Sequence, residues 1–407
     1  MIGNRDKIVN NKEKIEFINP HASDEAFESL KIKENFVKEK MNNNFQKLEG
    51  VKYLEKNEIK NDNKNDEIIN DKEELNDLND NKKDIINEKD ILQYRSEINL
   101  IYKTGEKGKQ KIFDEIFVED NINNIELIIN GIKSKLISEI DLKEKENNIK
   151  LIIKNNLTNL SYMFENCKTL YNIDDLKYLD VSNCTNFSHM FYGCESLSDL
   201  KPLENWDASN CTDFSYMFFN CSSLSDLKPL EKWVVSKCTY FSHMFYGCES
   251  ISDIKPLEKW DVSNCINFGS MFFDCKTLSD LKPLENWDVS KCTYFSHMFY
   301  SCESLSDIKP LEKWKVSNCT NFSHMFYGCE SLSDIKPLEN WDVSKFTYFS
   351  CMFYGCKSLS NIKPLEKWNV LNCTNFRSMF FGCKSLSDIK PLEKWNVSHC
   401  TDLGYMF

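Results

Sequence analysis

The stretch "CTNFSHMFYGCES", Cys319–Ser331, has near copies starting at Cys184, Cys238 and Cys292. Two cysteines, a histidine and a methionine within eleven residues would suit a metal site. Their recurrence suits a structural unit equally well, so the period of the copies has to be read first. The dipeptide Met-Phe starts at 163, 190, 217, 244, 271, 298, 325, 352, 379 and 406, always 27 residues apart. The eight tryptophans from Trp206 to Trp395 and eight prolines from Pro202 to Pro391 keep the same step. A slower rhythm of 54 residues is superimposed: Lys237, Lys291 and Lys345 travel with Tyr240, Tyr294 and Tyr348, and the repeats between carry Asn210, Asn264 and Asn318. Duplication of a two-repeat block accounts for it.

Within one repeat, Leu197, Leu200, Leu203 and Trp206 are apolar at spacing three, with Asp199, Lys201 and Glu204 among them. This pattern predicts a short strand entering a bend, kept short by the proline, which has no N–H for a ladder. After the tryptophan, "DVSN" supplies side chains that take up free backbone N–H groups at a helix start. Cys211, Phe214, Met217 and Phe218 then fall at spacings of three and four and predict a helical turn or two. The residue before the next cysteine is Asn166, Gly193, Asn220, Gly247, Asp274, Ser301, Gly328, Gly355 or Gly382, mostly types that tolerate positive φ at a helix C-cap. One strand, one turn and one short helical segment per period predict an α/β solenoid. Stacked at the strand spacing, nine such repeats give a rod of about 43 Å.

The succession Leu-x-x-Ile/Leu, Trp-Asp-Val-Ser-Asn, Thr-Asn-Phe and Met-Phe-x-Gly-Cys, spanning Leu157 to Phe407, resembles the leucine-rich repeats of BspA-like surface proteins. Two departures stand out: Cys replaces the commoner Val, and Lys-Pro lengthens the repeat. The resemblance implies a leucine-rich-repeat rod and a role in adhesion or protein binding at a microbial surface.

Column by column, the opening motif reads as structure. The first cysteine column (184, 211, 238, 265, 292, 319, 373, 400) has Leu157 and Phe346 as alternatives, which marks a buried apolar slot where Cys acts as a small hydrophobe. The second, Cys167 to Cys383, never varies, which raises a disulfide within each repeat as an alternative; Phe346 would leave a partner unpaired. His189, His243, His297 and His324 share their column with Tyr216, Ser270, Cys351, Ser378 and Tyr405, so the histidine is dispensable to the motif. No C-x2-C type pairing is present either. No metal and no cofactor is expected.

The charged columns are the candidate interaction surface: Asp199, Lys201 and Glu204, then Lys228 and Glu231, Lys255 and Glu258, Lys282 and Glu285, Lys309 and Glu312, and Lys336 and Glu339. They are either a solvated face of offsetting charges or a binding surface of repeated charge. Near-identical rungs offer no convergent set of differing groups, so no enzyme is expected. The net charge of −12 and the lack of a basic stripe argue against nucleic acid. No segment approaches the roughly 18–20 apolar residues that span a bilayer. With no signal-peptide-like run at its start, the chain reads as cytoplasmic as it stands, with the cell surface as the alternative that the resemblance implies. Sequons at Asn183, Asn210, Asn318 and Asn372 are either glycan sites of an exported protein or cap residues inherited with the repeat.

Residues 1–93 are rich in Lys, Asn, Asp and Glu, and from about 56 on they cannot bury enough surface to fold. Residues 24–49 carry a helical stripe of Phe27, Leu30, Val37, Met41, Phe45 and Leu48. Residues 94–156 read as a small β-rich cap, with "EINLIYK", "KIFDEIFVE", "IELIINGIKSKLI" and "NNIKLIIK" as strands and Asn130-Gly131 as a hairpin turn. The solenoid follows at 157–407, and an end left bare at Phe407 would cost on the order of 10 kcal/mol, hence an expectation of self-association there. The sequence therefore predicts a non-enzymatic scaffold that presents a periodic concave surface to a protein or glycan partner. The alternatives are an intracellular scaffold or spacer that recruits a partner through its amino-terminal helix, and a structural protein assembling end to end.

Overall fold

In the computed structural model the chain forms two units, Met1–Lys83 and Asp84–Phe407. The structure describes residues 96–103 and 108–407, all within the second unit. The helix expected at 24–49 and the charged stretch up to residue 93 lie outside the described residues.

The unit begins with a five-stranded antiparallel sheet. Its strands are β1 (Glu97–Lys103), β3 (Ile125–Ile129), β4 (Ile132–Lys135), β6 (Glu146–Ile153) and β7 (Leu170–Asn172), in the order β4-β3-β6-β1-β7. A second pair joins β2 (Lys109–Lys111) to β5 (Glu139–Asp141). Alternation puts Ile98, Leu100 and Tyr102 of β1 and Ile149 and Leu151 of β6 in the core. Asn130 (φ 47°) and Gly131 (φ 86°) turn β3 into β4, the two positive φ values of a type I′ hairpin. "KIFDEIFVE" is not a strand: Glu115–Asn121 form a helix, α1, because the Asp114 carboxylate accepts the N–H of Ile116 at 2.8 Å and caps it, while Phe117 is buried against Phe113. Since β7 pairs with β1, the sheet runs directly into the repeats.

The repeats contain no α-helix among the described residues. Leu197 to Trp206 is not a strand but brackets a 3-10 turn at Lys201–Leu203, and eight more such turns lie between Asp174 and Lys394. A spacing of three is the 3-10 period, which places i and i+3 on one side. Asp199 Oδ1 accepts the Lys201 N–H at 2.7 Å and starts that turn. The same device recurs twice more in the repeat, with Asp207 on Ser209 and Asp213 on Ser215.

The expected helical segment is prevented by two left-handed residues per repeat. His189 (φ 60°) and Gly193 (φ 68°) represent their columns, and an α-helix admits neither. The backbone bonds alternate instead. Phe187, His189, Phe191 and Gly193 donate to carbonyls of the next repeat (Asp213, Ser215, Met217 and Phe219), while Met190, Tyr192 and Cys194 donate three residues back. With the Ser188 N–H donated to Oδ1 of Asn186 at 2.8 Å, every N–H from Phe187 to Cys194 is satisfied. One column of parallel bridges continues from Asn159–Asn186 to Asn375–Asp402, always 27 residues apart, and a further bridge joins Asp280 to Asp307.

An inner repeat fills the core with ten apolar side chains. In one they are Leu224, Leu227, Leu230, Trp233, Val235, Cys238, Phe241, Met244, Phe245 and Cys248, none more than 3% exposed. A large apolar side chain contributes about 1.5–3 kcal/mol on full burial. Stacking like on like repeats that gain at every step: the Phe187, Phe214, Phe241 column and the Phe191, Phe218, Phe245 column stack with centroids 5.7–5.8 Å apart.

Candidate interaction surfaces

The histidine and both cysteines of the opening motif serve the stack. Second-column thiols donate to the phenylalanine carbonyl 30 residues back, at 3.1–3.3 Å, from Cys194 on Phe164 to Cys383 on Phe353. All eighteen cysteines are free thiols, buried except for the half-buried Cys351 and Cys400. Burial pushes the thiols up, to about 12 for Cys194 and Cys292. Phe346 occupies the thiol slot of its repeat and stacks on Phe322 at 4.6 Å. Among the described residues no cluster of three or more His, Cys, Asp or Glu side chains is arranged to hold a metal ion.

The charged face is knit together. Lys201, Lys228, Lys282 and Lys336 pair with Glu204, Glu231, Glu285 and Glu339 three residues on. Each of these carboxylates also meets a lysine of the next repeat: Lys232 (3.0 Å), Lys259 (4.0 Å), Lys313 (2.9 Å) and Lys367 (2.9 Å). Glu285 and Glu339 are held down at about 2, first by hydrogen bonds from their own lysines and then by those from the next repeat. At the place of that second lysine Glu258 and Glu312 have Asn286 and Asn340, and among the described residues neither carboxylate forms an ion pair within 4 Å. Asp199 is spent on the backbone of Lys201. The sequence marks the local pair; the lysine 28 residues further is reached only through the stacking. The carboxylates are tucked in, 16–31% exposed, and the lysines of these pairs stand 61–78% exposed.

Two half-buried aromatic ladders run elsewhere on the repeats. Tyr192, Phe219, Tyr246, Phe273, Tyr300, Tyr327 and Tyr354 stack at 4.1–4.3 Å. Beside them Tyr162, His189, Tyr216 and His243 stack at 4.2–4.5 Å, and His297 on His324 at 4.4 Å. Burial lowers His189 and His243 to about 4 and His297 to about 3, so the rings are neutral near pH 7.

A third feature gives the 54-residue rhythm a geometric meaning. Tyr240, Tyr294 and Tyr348 occupy the bridge column at every second repeat and are 41%, 39% and 48% exposed, and Asn267 and Asn321 fill the repeats between. Lys237, Lys291 and Lys345 bond the side-chain oxygens of Asn210, Asn264 and Asn318 one repeat back, at 2.6, 2.6 and 3.3 Å. Nδ2 of Asn210, Asn318 and Asn372, the atom a sequon glycan would be joined to, donates to a serine carbonyl at 2.7–2.8 Å. No helix among the described residues is long and apolar enough to cross a membrane.

Residues 136–255, 223–335 and 305–407 each match the family model described as "Mycoplasma protein of unknown function, DUF285". No curated protein and no solved structure matches the chain.

Proposed function

We propose, from the premise that this chain belongs to the family described as Mycoplasma protein of unknown function, DUF285, that it is a non-enzymatic repeat scaffold that engages a repetitive protein or glycan partner. The observation that carries this reading is the exposed lysines, tyrosines and asparagines, which return at fixed steps along a stack tied together by hydrogen bonds from each repeat to the next. Equal groups at equal steps favour many weak contacts with a partner that itself repeats, because each added contact raises the effective concentration of the next. One parallel bridge and one 3-10 turn per repeat support a solenoid of the leucine-rich-repeat type, with BspA-like adhesion proteins as the kinship that fits the motif.

The test is surface plasmon resonance of the full chain against purified repetitive polysaccharides and filamentous proteins, repeated with chains lacking two or four whole repeats. Dissociation should quicken with each pair removed. Binding indifferent to repeat number, or turnover of any of these partners, would overturn the scaffold reading.

A further inference from the structure

The tyrosine strip returns at every second repeat, together with the exposed Lys237, Lys291 and Lys345. The fold needs only the 27-residue period: the bridge column accepts Asn186, Asp213, Asn267 and Asn321 with the same backbone pairing that Tyr240, Tyr294 and Tyr348 have. The tyrosines are therefore surplus to the stack, and each leaves a large ring residue 39–48% exposed. The ring of Tyr294 lies over Gly269 of the preceding repeat, close enough that a Cβ there would meet its Cε1 at 2.7 Å. It is thus seated on the rung below while remaining open to solvent.

Parallel rungs are about 4.8 Å apart, so successive tyrosines are roughly 10 Å apart along the stack. That is one rung per sugar and one tyrosine per two sugars of an extended β-linked glycan. Such a chain turns over at each linkage, so only every second sugar presents the same face to a flat surface. The apolar C–H face of a pyranose suits the electron-rich face of an aromatic ring. On the rungs between, Asn267 and Asn321 accept backbone N–H groups through Oδ1 at 2.8 Å, which leaves their amide N–H groups to meet hydroxyls. Lys291 and Lys345 have Asp288 and Asp342 as electrostatic neighbours. Lys237 has Val234 in that place, but Asp213 precedes the first tyrosine, so three carboxylates face the three lysines and the strip offers no excess positive charge to a polyanion.

We propose, resting on the scaffold reading above, that the strip from Tyr240 to Tyr348 is a track for an uncharged, extended β-linked polysaccharide. Tyr240, Tyr294 and Tyr348 stack on every second sugar, and Asn267 and Asn321 bond the sugars between.

The experiment is calorimetric titration of the full chain with cellohexaose and chitohexaose, with maltohexaose as the α-linked control, on the native protein and on a Tyr240→Asn, Tyr294→Asn, Tyr348→Asn variant. The same column carries Asn natively, so the variant keeps the fold, which circular dichroism verifies. A β-linked hexaose should bind, its tetraose more weakly, and the variant should lose at least about tenfold in affinity. No binding of either β-linked hexaose, equal binding of maltohexaose, or an unchanged variant overturns the track. If neither β-linked hexaose binds while repeat-number-dependent binding to another partner is seen, the track falls and the scaffold reading stands; if repeat number has no effect on any partner, the scaffold reading falls too.

Discussion

Nε1 of Trp260 donates to the carbonyl of Leu230, 30 residues back and 3.1 Å away, in a site closed to water. The bond recurs for every tryptophan from Trp206 on Leu176 to Trp395 on Leu365, at 2.8–3.1 Å. It ties the start of one 3-10 segment's exit to the turn below, so the tryptophan column transmits stability between repeats as well as filling the core. Trp260→Phe keeps an aromatic ring but leaves the Leu230 carbonyl buried without this donor. That carbonyl keeps the backbone N–H of Trp233 at 3.1 Å, so the expected loss is about 0.5–1.5 kcal/mol for the one bond, with a further contribution from the smaller ring. Urea unfolding monitored by circular dichroism measures it; a loss below about 0.5 kcal/mol would mean that the bond is replaceable by water.

The left-handed column before the second cysteine separates glycine from its substitutes. At Gly247 (φ +69°) a Cβ would lie 2.2 Å from Oδ1 of Asn220. Gly247→Ala should destabilise by at least about 1 kcal/mol through backbone strain and that contact. Ser301 (φ 53°) already bears the strain, so Ser301→Gly should be neutral or stabilising by up to about 1 kcal/mol. Thermal unfolding of the pair decides the matter, and equal effects of the two changes would contradict it.

The period was legible because ten apolar columns repeat with no insertion, and a side chain buried in one inner repeat is buried in its neighbours. The conformation inside the period was less so. Leu197, Leu200, Leu203 and Trp206 announced their 3-10 spacing, yet alternating charge between them imitates a strand. Cys211, Phe214, Met217 and Phe218 have helical spacing, but the two αL residues per repeat cancel it. One of those columns, running through Tyr162, His189, Ser270 and Cys351, contains no Val, Ile or Thr, a signal consistent with positive φ at a non-glycine site. On the charged face, Lys201–Glu204 was visible as neighbours three apart, whereas Glu204–Lys232 depends on which residues adjacent repeats bring together.

Thiol accessibility follows from the stack. Sixteen cysteines, the eighteen less Cys351 and Cys400, are buried, and burial holds the second-column thiols far from ionisation. Treatment of the folded chain with iodoacetamide at pH 8 should label Cys351 and Cys400 first, with the rest reacting only in denaturant. Peptide mass spectrometry reads this site by site. Rapid labelling of Cys248 or Cys302 in the folded chain would show that the interior opens locally.

Acid should loosen the stack in two separable windows. His189 and His243 at about 4 and His297 at about 3, all lowered chiefly by burial, bind protons more readily unfolded, where the ordinary value is about 6.5. Their contribution is fully present above about pH 6.5 and is lost as pH falls toward 4, because the unfolded chain then holds the extra protons. Glu165 acts in the opposite sense: burial, and next the neighbouring Asp114, raise it to about 6, so it adds stability as pH falls from about 6 toward its unfolded value. Asp213 and Asp274, likewise raised by burial, act with Glu165, but the larger shifts of the three histidines make the net slope destabilising between about pH 6.5 and 4. The second window belongs to Glu285 and Glu339, whose pairing with Lys282 and Lys313 and with Lys336 and Lys367 is lost from about pH 4.5 down to about 2. The histidine column carries Tyr162 and Tyr216 natively, so His189→Tyr with His243→Tyr should flatten the upper window and leave the loss below about pH 4 unchanged. Urea midpoints taken from pH 7 to pH 2.5 test this, and an unaltered upper slope in the double variant would mean that these rings are hydrated and free to charge in the folded chain.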